Sequence, residues 1–111
     1  MYLYNGAYYW INASAGGGNV NGGTTVANTW THIAGTLDNG TMNLYVNGTS
    51  VGTPASIGTA VNSNSRFVVG ARFGNNAYNA RFNGVISDLR ISKMVRYTTN
   101  FTPPTRSFPT R

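Results

Sequence analysis

The segment from Arg72 to Phe82, RFGNNAYNARF, holds the side chains of this sequence that are best suited to contact a polar ligand. It combines an aromatic ring with amide and guanidinium groups, which donate and accept hydrogen bonds. A sugar ring stacks its C–H face on an aromatic side chain while such polar groups meet its hydroxyls. We therefore predict a ligand-binding site for a carbohydrate at Arg72, Asn75, Asn76, Tyr78, Asn79 and Arg81.

A structural interpretation of the aromatic and amide residues stays open beside this one. Asn and Gly occupy loops for conformational reasons, and Phe73 or Tyr78 would then cap the core. A second aromatic cluster contains Tyr8, Tyr9 and Trp10, and alternation places Tyr8 and Trp10 on one strand face, which a concave sheet would expose. That arrangement favours the core over a ligand platform.

The acidic residues are too few to predict hydrolysis. The chain has Asp38, Asp88 and no Glu, whereas glycoside hydrolysis uses two carboxylates across one bond. Asp38 lies in a predicted turn, and Asp88 lies two residues from Arg90 on one strand face, which predicts an ion pair. A Ser-His-Asp arrangement would need His32, the one histidine, for which a hydrogen-bonded sheet residue is the better interpretation.

Charge is sparse and unevenly placed along the 111 residues. Charged residues are 9 % of the chain, and all eight basic residues lie at or after Arg66, which gives a net charge of +6. They are spaced singly, without a groove-binding helix or an aromatic platform, so we predict no nucleic-acid partner. The start of the chain lacks the features of a signal peptide, and no apolar run is long enough to cross a membrane, so we predict no membrane insertion. There is no cysteine for a disulfide or a thiolate metal site.

Strands are predicted along most of the chain and helices nowhere. The turn Asp38-Asn39-Gly40 separates two alternating runs, Trp30–Leu37 and Thr41–Asn47, and Asn47-Gly48 forms a second turn. Trp30 is expected in the core. Further strands are expected at Tyr2–Tyr4, Tyr8–Ala13, Thr24–Ala27, Thr49–Gly52, Arg66–Ala71 and Gly84–Ser92, with loops over 16–23, 54–64 and 72–82. Eight or nine short strands favour an antiparallel β-sandwich.

The length predicts a single domain over residues 1–111, with an irregular tail over 94–111. Pro103-Pro104 excludes a central strand from this tail. Three aromatic residues are expected to hold the tail on the body of the domain: Tyr97, Phe101 and Phe108.

Four segments carry a family resemblance. They are WTHIAGT at 30–36, NLYVNG at 43–48, FNGVISDLRI at 82–91 and RYTTNFTPPT at 96–105. In this order they resemble the laminin G-like branch of the concanavalin A-like lectin/glucanase superfamily, of the kind found in tailed-phage structural proteins and marine microbial surface proteins. The resemblance implies a jelly roll of two antiparallel sheets that binds glycans or proteins.

The resemblance also implies an all-β sandwich shortened at its N-terminus, because family domains generally have several strands before the region that matches Met1 to Tyr9. Uncovered sheet edges pair with other chains, so we expect a homo-oligomer or part of a larger assembly. The predicted function is noncatalytic carbohydrate binding, with a glycan or polysaccharide partner, in an extracellular or virion-associated protein. The alternative is a structural or oligomerisation module without a small ligand.

Many laminin G-like domains hold calcium through an acidic side chain, an Asn or Asp and backbone carbonyls. The corresponding loops of this sequence offer neutral side chains, with Arg72 and Arg81 nearby to oppose a cation. The neutral residues are Asn12, Asn75, Asn76 and Asn79. We therefore predict no cofactor, with calcium held mainly by backbone oxygens as the alternative.

Overall fold

The fold is all-β and antiparallel, as predicted. A computed structural model describes residues 1–11, 17–57, 66–74 and 76–108, without the side chains of residues 73, 74, 78 and 79. These residues contain no helix and form eight strands: β1 (Tyr2–Tyr4), β2 (Ala7–Ile11), β3 (Asn19–Gly22), β4 (Ile33–Asp38), β5 (Thr41–Val46), β6 (Thr49–Ser56), β7 (Arg72–Gly74) and β8 (Ala77–Asn79). Sheet A has the order β1-β2-β3, sheet B has the order β4-β5-β6, and β7 pairs with β8.

The chain divides into two compact units. Unit 1 is Met1–Val61 with Ser92–Arg106, and it contains both three-stranded sheets; unit 2 is Asn62–Ile91 with Ser107–Arg111, and it contains the β7–β8 hairpin. The two units are defined by which residues contact one another in the structure. One domain over residues 1–111 with a tail over 94–111 stays a prediction.

Asn-Gly turns set the register of both sheets in unit 1. Asn39-Gly40 joins β4 to β5 and Asn47-Gly48 joins β5 to β6, with positive φ at all four residues (45°, 79°, 50° and 79°). These values match the two-residue turn whose twist fits an antiparallel hairpin. Asn5-Gly6 forms the same kind of turn between β1 and β2. The hairpin predicted from Trp30–Leu37 and Thr41–Asn47 is therefore confirmed, with its first strand beginning at Ile33 rather than Trp30.

The core of unit 1 lies where sheet A meets sheet B. Tyr8 and Val20 of sheet A are buried with Met42 and Leu44 of sheet B, and Trp10 packs half-buried against this cluster. Close approach of the backbones requires glycine in β6, because a Cβ on Gly52 would overlap the Asn21 carbonyl oxygen. The prediction that Tyr8 and Trp10 serve the core is confirmed.

The C-terminal segment covers the other face of sheet B. Tyr97 and Phe101 stack with ring centroids 3.6 Å apart, and both rings meet Tyr45 edge-on. The Asn100 side chain accepts a hydrogen bond from the Ser50 amide at 2.8 Å, and the Phe101 amide donates to the Gly48 carbonyl at 2.9 Å. Tyr97 and Phe101 hold the tail as predicted, whereas Phe108 contacts Arg90 within unit 2.

Two predicted strands of unit 2 are wrong. Residues 66–71 form no strand, Phe67 is 70 % exposed, and the positive φ of Gly70 (74°) turns the chain before β7. Residues 84–92 also form no strand, because Asp88 has a φ of 54° that interrupts the extended backbone. The apolar side chains of this segment are exposed, with Val85 at 73 %.

Three further expectations need correction. Trp30 is not in the core but 72 % exposed, since β4 begins only at Ile33. Residues 24–27 are not a strand; instead β3 lies within the expected loop over 16–23, where Val20 alone enters the core. β6 continues past Gly52 to Ser56, and its Pro54 is tolerated because β6 is the last strand of sheet B.

Candidate functional site

The predicted binding segment is a β-hairpin rather than a loop. β7 and β8 pair antiparallel, with Arg72 opposite Asn79, residue 73 opposite residue 78, and Gly74 opposite Ala77. Below these pairs, the Phe82 amide donates a hydrogen bond to the Gly70 carbonyl at 2.7 Å. This bond closes the base of the hairpin and brings the positions of Arg72 and Arg81 to the same end.

The structure describes part of the predicted site. The side chains of Arg72, Asn76 and Arg81 are exposed, and Asn76 has a positive φ of 56° after the end of β7. Asn75 lies outside the described residues, and for Tyr78 and Asn79 only the backbone within β8 is described. The hairpin therefore has two guanidinium groups at its closed base and an exposed amide at its tip.

The two carboxylates lie in different units and in different local settings. Asp38 ends β4 and pairs in register with Thr41 across the Asn39-Gly40 turn. The Asp88 carboxylate accepts a hydrogen bond from the Ser87 hydroxyl at 3.0 Å. The Arg90 guanidinium lies 3.9 Å above the centroid of the Phe108 ring, in a cation–π arrangement.

His32 is hydrogen-bonded as predicted, although it lies just before β4 rather than within the sheet. Its amide donates to the Asn47 side-chain oxygen at 2.9 Å, and its carbonyl accepts from the Asn47 amide at 2.8 Å. The imidazole meets Phe101 edge-on at 5.5 Å and Tyr97 at 6.4 Å. These two ring contacts are part of the packing of the tail against sheet B.

Sheet A carries an aromatic surface that the sequence analysis did not identify. Tyr2 and Tyr9 are register partners, and their rings stack with centroids 4.9 Å apart. Tyr4 meets Tyr9 edge-on at 6.2 Å. The signal was present in the sequence: Asn5-Gly6 between two short aromatic-rich runs predicts a hairpin that places Tyr2 opposite Tyr9.

The described residues show neither a metal centre nor a spanning helix. In that part of the chain, no group of three or more His, Cys, Asp or Glu side chains comes close enough to hold an ion. Asn12 and Asn75, two of the neutral residues in the loops that correspond to the family's calcium site, lie outside it. Across residues 1–11, 17–57, 66–74 and 76–108, no helix has the length and apolarity to cross a membrane.

The family of the chain follows from comparison with known proteins. The family model Laminin_G_3, described as concanavalin A-like lectin/glucanases superfamily, matches residues 1–99. This chain belongs to that family, as its sequence motifs predicted. Laminin G-like domains are generally noncatalytic binding modules, and two three-stranded antiparallel sheets are consistent with their sandwich fold. Neither a curated protein nor a solved structure shows a significant match to this chain.

Proposed function

We propose that this protein is a noncatalytic carbohydrate-binding module and that its ligand contacts the β7–β8 hairpin. The observation that carries the proposal is the exposed hairpin itself, with Arg72 and Arg81 at its closed base and Asn76 at its tip, in a chain of a lectin-type family. Planar guanidinium groups and amides address vicinal hydroxyls with several donors at once. Such a hairpin fits a hydroxyl-rich ligand.

Within this site we assign Tyr78 the stacking role and the amides the hydroxyl contacts. The aromatic ring would take the apolar face of one sugar, which desolvates C–H groups without a charged partner. The amides are those of Asn75, Asn76 and Asn79. Arg72 and Arg81 would add longer-range donors that also donate hydrogen bonds to a carboxylate or sulfate on an acidic polysaccharide.

Glycoside hydrolysis is not part of the proposed function, because the chain has too few acidic residues for it. Hydrolysis by either stereochemical route needs two carboxyl groups across one glycosidic bond, one of them protonated near neutral pH. The chain has two aspartates and no glutamate. Asp38 is fixed at a hairpin end of unit 1, and Asp88 accepts the Ser87 hydroxyl in unit 2, so each has a separate structural setting.

We further propose that binding needs no metal and that the protein acts outside a cell or on a virion, as in a phage tail or a microbial surface protein. A chain with 9 % charged residues and many amide and hydroxyl side chains is typical of extracellular and virion β-proteins. Neutral amides attract a hard dication far less than carboxylates do. Retention on glycans is therefore expected to be the same with calcium and with EDTA.

The test is a glycan array probed with the purified protein and with Tyr78→Ala. We expect the variant to lose retention about tenfold, because one stacked ring contributes about 1.4 kcal/mol. Tyr78→Phe, which keeps the ring, is the matched control and retains binding. Unchanged retention in Tyr78→Ala, with both variants folded by circular dichroism, would remove the hairpin from the site.

A structural or oligomerisation module is the second candidate, because unit 2 exposes large apolar side chains. Val85, Ile86, Leu89 and Ile91 are all exposed within one irregular segment. Exposed apolar patches of this kind are found at protein–protein interfaces. This candidate predicts concentration-dependent association by sedimentation velocity together with no retention on a broad glycan array.

A further inference from the structure

The side of sheet A that faces away from the core carries three tyrosines. We call this surface the tyrosine face and define it by Tyr2 and Tyr4 of β1, Tyr9 of β2, and Asn19 and Asn21 of β3. Register places these residues together, because Tyr2 pairs with Tyr9 and Tyr9 pairs with Asn21. Tyr8 and Val20, one position along in β2 and β3, are buried in the core and point the other way.

The rings of the tyrosine face contact one another and remain open to solvent. Tyr2 and Tyr9 stack at 4.9 Å with an interplanar angle of 6°, and Tyr4 meets Tyr9 at 69°. Tyr4 is nevertheless 59 % exposed and Tyr2 is 43 % exposed. β1 is the outermost strand of sheet A within the described part of the chain, so there Tyr2 has a paired strand on one side alone, that of β2.

The three strands of sheet A also carry no charged side chain. Residues 1–65 contain no Lys or Arg, and their one acidic residue is Asp38, which lies in β4 of sheet B. Asn19 and Asn21 are exposed beside the rings and offer neutral donors and acceptors. An anionic ligand such as a nucleic acid would find no counter-charge here.

We propose that the tyrosine face binds a neutral oligosaccharide, as a second carbohydrate site separate from the β7–β8 hairpin. The phenol rings take the C–H faces of successive sugars, and the amides of Asn19 and Asn21 address hydroxyls beside them. Tyr2 and Tyr4 lie two residues apart, which separates their Cα atoms by about 7 Å along the strand. The site therefore takes an extended chain of sugars rather than a single ring.

This inference rests on the proposed carbohydrate-binding function and adds a site in unit 1 that the hairpin proposal does not use. The two sites differ in electrostatics, since the hairpin has two guanidinium groups and the tyrosine face has none. Neutral oligosaccharides should therefore bind preferentially to the tyrosine face, whereas sulfated or uronic-acid glycans should bind preferentially to the hairpin.

The experiment uses the full chain on an array of neutral oligosaccharides of two to eight sugars, printed beside sulfated and uronic-acid sets. The variant Tyr2→Ala/Tyr4→Ala should lose retention on neutral glycans by about a hundredfold, at roughly tenfold for each ring. Its retention on acidic glycans should stay unchanged, and wild-type retention on neutral glycans should increase with chain length. Leu3→Ala is the control, since Leu3 lies between the two tyrosines and on the opposite side of β1.

Folding of the double variant is checked by its urea unfolding midpoint, which reports on the buried core of Tyr8, Val20, Met42 and Leu44. A second variant, Asn21→Ala, leaves all three rings in place and should weaken neutral-glycan retention several-fold. Unchanged retention of neutral glycans by the double variant, while Tyr78→Ala loses it, overturns the tyrosine face and keeps the proposed function. If wild-type protein is retained by no glycan of either set, the proposed function fails and the second site fails with it.

Discussion

Unit 1 has a buried apolar core, whereas large apolar side chains of unit 2 are exposed. In unit 1 two three-stranded sheets bring Tyr8, Val20, Met42 and Leu44 together in a buried core. In unit 2 the described residues contain one two-stranded hairpin, and the apolar residues of 84–91 stay exposed. The same kind of alternating sequence thus forms a sandwich only where a neighbouring strand is held in register.

Turn geometry explains the difference. In unit 1 each positive-φ pair lies between two strands, so that it reverses the chain and starts a ladder. In unit 2 the positive φ of Asp88 falls inside the apolar run and stops a strand from forming. We infer that stability resides in unit 1, and that the hairpin of unit 2 is available for recognition.

The largest expected contrast is between two Leu→Ala substitutions. Leu44 is 0 % exposed, so Leu44→Ala should lower the free energy of unfolding by about 4 kcal/mol through lost burial and a cavity. Leu89 is 59 % exposed, so Leu89→Ala should change it by about 0.5 kcal/mol or less. Urea unfolding of both variants measures the contrast. Equal losses in the two variants would show that residues 84–91 have a core of their own.

Two glycines with positive φ give the next contrast. A Cβ on Gly48 would overlap the Phe101 carbonyl, so Gly48→Ala combines backbone strain with a clash and should cost about 3 kcal/mol. At Gly70 the nearest atom to such a Cβ is Ile86 Cδ1 at 3.6 Å, which is ordinary contact, so Gly70→Ala should cost about 1 kcal/mol in strain alone. Thermal unfolding temperatures rank the stabilities of the two variants. A larger loss of stability in Gly70→Ala than in Gly48→Ala would contradict the packing of the tail against Gly48.

Two phenylalanines of the C-terminal segment give a smaller contrast. Phe101 stacks on Tyr97 and meets His32 and Tyr45, so Phe101→Ala should destabilise by about 2 kcal/mol. Phe108 is held by the Arg90 guanidinium, and Phe108→Ala should cost about 0.5 kcal/mol. The denaturant concentrations at the unfolding midpoints of both variants measure this difference in stability. A midpoint for Phe101→Ala equal to that of the wild type would mean that the tail does not stabilise sheet B.

The sequence predicted those parts of the fold whose signals are local. The hairpin between β4 and β5 follows from Asn39-Gly40 and from alternation on each side, and the family motifs predict the sandwich. β3 was missed because Val20 is its single core residue among Asn and Gly. The predicted strand over 84–92 was wrong because apolar/polar alternation carries no information on the positive φ of Asp88.

The residue types of the candidate site could be predicted from the sequence, whereas their spatial arrangement could be predicted only in part. Arg72 and Arg81 share one end only because the Gly70 carbonyl and the Phe82 amide close the hairpin, and no residue pattern marks that bond. Tyr2 and Tyr9 stack because of the Asn5-Gly6 turn, which the sequence does mark. A local hairpin signal therefore predicts cross-strand partners, whereas the closure of an irregular segment does not.

Native-state hydrogen exchange tests the central claim, that the stable hydrogen-bonded body of the protein is unit 1, most directly. Amides of β2 and β5, the central strands of sheets A and B, should exchange slowly, near the rate set by global unfolding. Amides of residues 84–89 should exchange many times faster, since they belong to no strand. Equal protection of residues 84–89 and β5 would contradict the account, because it would place the apolar run of unit 2 in a strand ladder.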